Sequence, residues 1–256
     1  MIELPLMAIV TSLLTIGVRL SGLMLFAPFF GSVVIPARIK AILVFAVTLL
    51  LYPTVGQQID PKLLSNWPML IITEFLVGVG MGIATNIVFE GIQLSGQILG
   101  MQMGYSLINL LDPQTQVDTT VMATFYQSIV MLLFLQMDVH FWLLRAVANS
   151  FRYVPPGSAH ISSLFTASVV KTVGEIFGLG VQIAAPVLAA TLAADVVLGL
   201  LGRASPQMPL MLLGPAVKSL LGISVLIATL KYWPDLFRRL FTDAVANGER
   251  LFHLAG

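Results

Sequence analysis

Six long apolar runs constrain this chain more than any other feature of its sequence. A helix needs about 20 mostly apolar residues to cross roughly 30 Å of hydrocarbon. The runs cover residues 4–30, 39–52, 67–89, 119–147, 164–200 and 210–233, and a polar tail, 234–256, follows them. The pattern predicts an all-α, polytopic membrane protein with about six long, partly broken hydrophobic helices arranged as hairpins.

The composition agrees with a membrane location. Of the 256 residues 57% are hydrophobic and only 10% are charged, whereas about a quarter of the residues in soluble domains are charged. A soluble fold could not bury so much apolar side chain, so lipid or other apolar subunits must cover the rest. The net charge of +1 gives no indication of a nucleic-acid partner. The sequence contains no cysteine, which excludes a disulfide framework and thiolate chemistry.

The run lengths and loop charges do not fit a simple serpentine topology. Run 39–52 is short for a span, and run 164–200 is far longer than one. Basic loops normally mark one side of the membrane. Here the segments 31–40 and 90–118 should share a side, yet the first is basic and the second carries only negative charges. We therefore expect some runs to pack against protein rather than lipid.

Ionisable residues inside the runs mark positions that lipid cannot satisfy. Arg19 lies deep in the first run, where an arginine costs about 2.5–3.5 kcal/mol on an insertion scale. We predict that it faces a charged partner, a polar cavity or another subunit. Glu74 is a possible partner, and snorkelling from a tilted helix is the alternative. Arg203 is a third candidate for a buried charge. Lys171 and Glu175, four residues apart, can pair on one helix face, and a structural role is favoured for them.

Small residues repeat every four positions near the middle of the chain. Gly96, Gly100 and Gly104 form GxxxGxxxG, and shorter repeats of this spacing occur at 78–82 and 174–178. Such spacing lets helix backbones approach closely in apolar surroundings. We predict that the three glycines pack against another helix. The neutral side chains beside them are candidates for lining a pore, and a polar patch against a neighbouring subunit is an equal alternative. The pore-lining candidates are Gln97, Met101, Gln102 and Met103.

The segment 105–121 differs from its apolar surroundings. Residues 100–120, which include most of it, are rich in Gly, Met, Gln, Thr and Asn and carry no positive charge. Asp112 and Pro113 initiate a turn and block helix continuation, so the segment is predicted to be a non-helical insertion. Irregular backbone at membrane depth is tolerated only where protein or water surrounds it. We therefore expect this segment in the interior of an assembly, not against lipid.

The sequence shows no enzyme motif. The three histidines, His140, His160 and His253, are scattered, and HExxH, CxxC, GxSxG and phosphate-binding loops are absent from the sequence. We predict that the protein is not an enzyme and needs neither a metal nor another cofactor.

Several segments together resemble one family. They are RLSGLMLFAPFFGSVVIPARIK (19–40), VGVGMGIATNIVFEGIQLSGQILGMQMGYS (77–106), NLLDPQTQVDTTVMATF (109–125), MLLFLQMDVHFWLLRAVANSF (131–151) and GLLGRASPQMPLMLLGPAVK (199–218). In their order and spacing the chain resembles the FliR family, the flagellar type III export-gate subunits, nearly end to end. It departs from the family pattern at Val139, at Pro209 and in the residues 214–216.

The resemblance implies a function and a set of partners. FliR-like proteins join FliP-like and FliQ-like subunits in a hetero-oligomeric helical assembly in the bacterial inner membrane, at the flagellar basal body. Unfolded flagellar proteins cross the membrane there, and an FlhB-like switch protein is a further partner. Membrane lipid is expected around the assembly, and nucleic acid is not. The resemblance also implies a P-like part, 1–156, followed by a Q-like part, 157–256, that includes the tail.

In this family a loop in the middle of the chain helps to plug the closed gate. The matching place here is 105–121, and neutral polar groups suit a channel that must not grip its substrate. The implied plug residues are Tyr105, Ser106, Asn109, Asp112, Pro113, Gln114 and Gln116.

Two other classes of protein remain as alternatives. A secondary transporter or small-solute channel also carries broken helices and buried charges, but such proteins often have similar halves, and no convincing internal repeat is present here. The missing catalytic motifs disfavour an intramembrane enzyme. Physical reasoning alone does not separate a flagellar from an injectisome protein, and the resemblance favours the flagellar system.

Overall fold

The fold is described from a computed structural model of the full chain. It describes residues 3–32, 35–56, 59–105, 120–158, 163–207 and 209–253. Within these ranges the regular structure is helical. The helices are α1 (Glu3–Phe26), α2 (Ala37–Val55), a 3-10 helix (Pro61–Asn66), α3 (Trp67–Gln102), α4 (Val121–Gln136), α5 (Val139–Tyr153), α6 (Ser163–Ala204), α7 (Leu210–Leu230) and α8 (Trp233–His253).

The helix lengths confirm the prediction of an all-α, polytopic membrane protein. In the described residues five helices are long and apolar enough to cross a membrane, or six if α4 and α5 form one bent span. Helix α3 has 36 residues and α6 has 42. At 1.5 Å per residue these are about 54 and 63 Å long, so both exceed the roughly 30 Å of a hydrocarbon core.

Two helix boundaries differ from the sequence prediction. Helix α2 continues through Pro53 to Val55, because a proline in the last turn displaces few helical hydrogen bonds. Helix α3 does not end with its apolar run at Phe89 but continues to Gln102. The added turns are rich in leucine, glutamine and other good helix formers, and their glycines face a neighbouring helix.

The run 119–147 is broken rather than continuous. Helices α4 and α5 meet at a bend of 64°. Asp138, between them, has φ of 57° in the left-handed region, which aspartate tolerates better than most residues. The polar residues within this run therefore mark a corner of the chain.

The polar tail, for which the sequence analysis predicted no secondary structure, is helical, because residues Trp233–His253 form helix α8. Trp233, Phe237, Phe241 and Ala244 are buried along it. Their spacing of three and four residues places them on one face of a helix. The charged residues between them lower the mean hydropathy of the segment. The apolar runs of the sequence therefore did not indicate this buried face.

The described chain packs as two compact units. The first comprises Met1–Ile87, Leu135–Val173 and Phe241–Gly256, and the second comprises Val88–Phe134 and Gly174–Leu240. In the first, α1 and α2 pack as a hairpin, and the core includes Leu20, Leu23 and Leu143. In the second, Tyr126 packs edge-to-face on Trp233, with ring centroids 5.0 Å apart. This division by packing does not test the division into P-like and Q-like parts at 156/157, which stays a prediction.

Candidate functional site

The first unit encloses a pair of opposite charges in its apolar core. Arg19 of α1 and Glu74 of α3 both have side chains that are 0% exposed. The guanidinium Nη2 lies 2.7 Å from the Glu74 Oε2, and Nε also donates to that oxygen at 2.7 Å. Both donors converge on this one oxygen, in charge-assisted hydrogen bonds that are stronger than neutral ones. Arg19 is fully buried in the chain, so it does not snorkel.

The remaining donors of Arg19 also have partners. Nη1 donates to the Ser150 hydroxyl at 2.9 Å, and Nη2 donates to the Val154 carbonyl at 3.1 Å. The ring of Phe151 lies 3.9 Å below the guanidinium carbon, within the range of a cation–π contact. The second oxygen of Glu74 accepts from the Gly157 N–H at 3.0 Å. The cluster therefore ties α1 and α3 to the end of α5 and to the turn after it.

Close approach of α1 and α3 makes this pairing possible. A Cβ on Gly78 of α3 would overlap the carbonyl oxygen of Arg19, and a Cβ on Gly22 of α1 would lie 2.5 Å from the Phe75 carbonyl oxygen. Gly82 continues the same contact, since its Cβ would lie 2.8 Å from the Phe26 Cβ. The repeat at 78–82 is thus the surface on which the two backbones meet.

The other predicted charges behave differently. Arg203 is exposed in the last turn of α6, so its predicted burial is wrong for the chain by itself. A cation at a helix C-terminus interacts favourably with the helix dipole, and that position does not require burial. Lys171 and Glu175 are both exposed, and no ion pair joins them in the part of α6 that the structure describes.

In the second unit the end of α3 packs closely against Thr120 and α4, in a contact that we call the clasp. A Cβ on Gly96 of α3 would overlap the Cα of Ala123 in α4, and one on Gly100 would lie 2.5 Å from the Thr120 Cβ. The Thr120 hydroxyl donates to the Gly96 carbonyl at 3.1 Å and accepts from the Ala123 N–H at 3.2 Å. The Tyr105 N–H donates to the Gly100 carbonyl at 2.9 Å, so the described residues on both sides of the segment 106–119 contact Gly100.

Polar contacts also fix the end of α3. The Gln102 amide donates to Oδ2 of Asp195 in α6 at 2.7 Å, and Lys218 of α7 lies 2.9 Å from Oδ1 of the same carboxylate. The Ser219 hydroxyl donates to the Met103 carbonyl at 3.2 Å. Gly104 lies in a turn beyond α3, not on its helical face, with φ of +87°. This turn directs the chain away from the helix axis at the start of the 106–119 segment.

The four pore-lining candidates occupy different environments. Met101 is 59% exposed, whereas Met103 is buried, with its side chain against Gly222. Gln97 is half-buried, and Gln102 is bonded to Asp195. This placement favours Met101 over Met103 as a residue that faces an opening.

Among the predicted plug residues only Tyr105 lies in the described part of the chain, where it forms a turn. Ser106, Asn109, Asp112, Pro113, Gln114 and Gln116 lie outside the described residues. Val121 is the first residue of α4, so the predicted non-helical insertion was one residue too long at that end.

Sequence reasoning missed several members of these clusters. Thr120 and Ser150 are ordinary polar residues whose roles depend on contacts between helices. The pair Asp195 and Lys218 had one signal, since both are charges within apolar runs. That signal showed that each needs a partner, but not that they pair with each other. The described residues include no group of three or more histidine, aspartate or glutamate side chains arranged to hold a metal ion.

The fold and these contacts define a multi-pass helical membrane protein with an internal ion pair. Its sequence matches the family model described as "Bacterial export proteins, family 1" over residues 10–244. It is similar to the flagellar biosynthetic protein FliR of Pectobacterium carotovorum subsp. carotovorum, with 30% identity over 88% of this chain and 87% of that protein. It is also similar to FliR of Escherichia coli strain K12, at 26% identity over 88% and 86%, and of Bacillus subtilis strain 168, at 24% over 95% of each chain.

The chain therefore belongs to the bacterial export proteins, family 1, the FliR family. Its resemblance to that family in the sequence analysis is confirmed. Family membership makes it a multi-pass membrane component of the flagellar export apparatus.

Proposed function

We propose that this chain is a core subunit of the flagellar protein export gate in the bacterial inner membrane. It assembles with FliP-like and FliQ-like subunits, is joined by an FlhB-like switch protein, and helps to close the channel for unfolded flagellar proteins. The P-like part, 1–156, and the Q-like part, 157–256, provide the surfaces for these subunits. It lies at the basal body, catalyses no reaction, lines part of the channel and helps to close it.

The clasp at Gly96, Gly100 and Thr120 is the observation that carries the proposed plug. Tyr105 and Thr120, the described residues on either side of the segment 106–119, both contact Gly100. Contacts among Gln102, Asp195 and Lys218 hold the same end of α3 in place. A plug segment must move aside for substrate without disturbing the helices around it. Flanking residues that are held in place by these contacts allow such a movement.

Exposed surfaces on the spanning helices support the proposed partners. In the membrane-spanning stretches of α2 and α7 only 11% of the residues are buried by the chain itself, and in that of α6 only 22%. Lipid could cover the apolar residues there. However, Lys171 and Glu175 are exposed on α6 among large apolar side chains such as Phe177. Charges on such a face are better satisfied by protein than by hydrocarbon.

Co-expression tests this function. Expressed alone, the chain should aggregate or be degraded, because its uncovered helices lack partners. Expressed with FliP-like and FliQ-like subunits, it should enter one stable complex of fixed composition, as measured by native mass spectrometry. A secondary transporter would instead be stable alone. A monodisperse homo-oligomer that transports a small solute would overturn the proposal.

A further inference from the structure

A narrow apolar slot runs between α1 and α2 in the first unit. Its volume is about 400 Å³, within the range of sites for small ligands. Gly17 and Met24 contribute to one wall, and Val44 and Phe45 to the other. Phe45 is 62% exposed, so the slot opens to the surface of the chain rather than to its core.

Among the polar side chains that line the slot, the Lys40 amine is the group that can bind an anionic ligand. The Ser21 hydroxyl donates to the Val18 carbonyl at 2.7 Å, and the Thr48 hydroxyl donates to the Val44 carbonyl at 2.7 Å. Both hydroxyls are therefore satisfied within their own helices. Lys40 is half-buried in the slot, and the described part of the chain gives its amine no ion-pair partner.

The charge lies towards one end of the slot. Lys40 is in the first turn of α2, and the exposed Arg38 lies two residues before it. Along α2 the slot extends from Ala37 to Thr48. This separation of eleven residues is about 16 Å at 1.5 Å per residue. Half of a 30 Å hydrocarbon core is about 15 Å, so the slot matches the depth of one leaflet.

The dimensions disfavour a protein helix as occupant. A helix about 10 Å in diameter needs roughly 400 Å³ for each turn of 5.4 Å, so the whole slot would hold one turn. A slender apolar chain with an anionic group at one end fits both the 16 Å length and the terminal cation. Basic sites between membrane helices commonly bind lipid head groups.

We propose that the α1–α2 slot holds one acyl chain of an anionic phospholipid, whose phosphate binds the Lys40 amine. Arg38 adds positive charge at the same end, and the positive end of the α2 dipole favours a phosphate there. The bound lipid would cover an apolar surface of α1 and α2 that the chain itself leaves open.

Native mass spectrometry of the full chain, purified with its partner subunits, tests this proposal. The complex is titrated in detergent with phosphatidylglycerol or with phosphatidylcholine that carries the same acyl chains. We expect one tightly retained lipid and about a fivefold preference for phosphatidylglycerol, the effect of one basic side chain near a membrane surface. Lys40→Gln should reduce the preference clearly, whereas Lys62→Gln, a change at an exposed lysine of the 3-10 helix, should keep it.

A second variant tests the apolar part of the slot. Ala41→Trp fills the slot and should reduce retention of both lipids, with the helical circular dichroism unchanged. If that variant fails to fold, Lys40→Gln still decides the head-group contact. Equal retention of the two lipids by the parent would overturn the proposal, as would an unchanged preference in Lys40→Gln. So would the finding that a partner subunit occupies the slot and no lipid remains bound.

Discussion

Replacing Arg19 by leucine should be among the most damaging single changes to this chain. It removes both guanidinium donors from Glu74 and leaves that carboxylate buried, with the Gly157 N–H, 3.0 Å away, still donating to it. Breaking a buried pair by removing one partner costs about 3–5 kcal/mol. For a chain of this size 1 kcal/mol corresponds to about 2–4 °C. We therefore expect the midpoint of thermal unfolding to fall by about 6–20 °C.

Matched variants separate the lost ion pair from the loss of an arginine side chain. Arg152→Leu makes the same substitution at an exposed position on α5, and should change stability by less than about 0.5 kcal/mol. In Arg19→Leu/Glu74→Leu no charge is left buried, and replacing both members of a buried pair by apolar residues is often close to neutral. The double variant should therefore be more stable than Arg19→Leu by about 2 kcal/mol.

The assay is thermal unfolding of the purified complex in detergent, followed by intrinsic tryptophan fluorescence, with complex yield as a second readout. A loss below about 1 kcal/mol for Arg19→Leu would refute the reasoning. A double variant no more stable than the single one would show that the cost arises from packing, not from the uncompensated Glu74 charge.

Three further predictions concern the helix contacts. Gly78→Ala should destabilise the chain by about 3 kcal/mol or more, because its Cβ overlaps the Arg19 carbonyl. Gly174→Ala, whose Cβ would have nothing within 4 Å in the chain, should be neutral or stabilising by up to about 1 kcal/mol; thermal unfolding of the purified complex measures both. Lys171→Leu/Glu175→Leu should lower the yield of the complex if protein covers these charges; a higher yield would indicate lipid there instead. Gly100→Leu should separate α3 from Thr120 and make the assembled complex leak small ions, while Gly199→Leu, with nothing within 4 Å, should not; a tight Gly100→Leu complex would argue against the clasp.

The sequence predicted the helical membrane class because apolar runs of spanning length have few other solutions. It also singled out Arg19 and Glu74, since a charge in an apolar run is costly. It could not establish their pairing, because the two residues are 55 positions apart and nothing local relates them. The roles of Ser150 and the Val154 carbonyl were even harder to predict from the sequence, because they depend on where α5 packs.

Local conflicts explain most of the wrong boundaries. The bend at Asp138 depends on one residue in the left-handed region, which an apolar run does not reveal. Helix α8 was missed because its buried residues, including Trp233 and Phe237, alternate with charges that suppress hydropathy. Gly104 continues the four-residue glycine spacing, but it serves the turn after α3 rather than the helix face. A glycine pattern alone does not distinguish these two uses.

Ion conductance of the assembled complex, with and without residues 110–116, tests the central claim most directly. The parent complex in a planar bilayer should be closed to small ions. The deletion should still assemble with the FliP-like and FliQ-like subunits, because the clasp at Gly96, Gly100 and Thr120 lies outside it, and should conduct. Replacing the same residues by an equal length of glycine and serine tests whether loop length alone closes the channel. An assembled deletion complex that stays closed would contradict the account, and failure to assemble would assign the segment to subunit packing instead of closure.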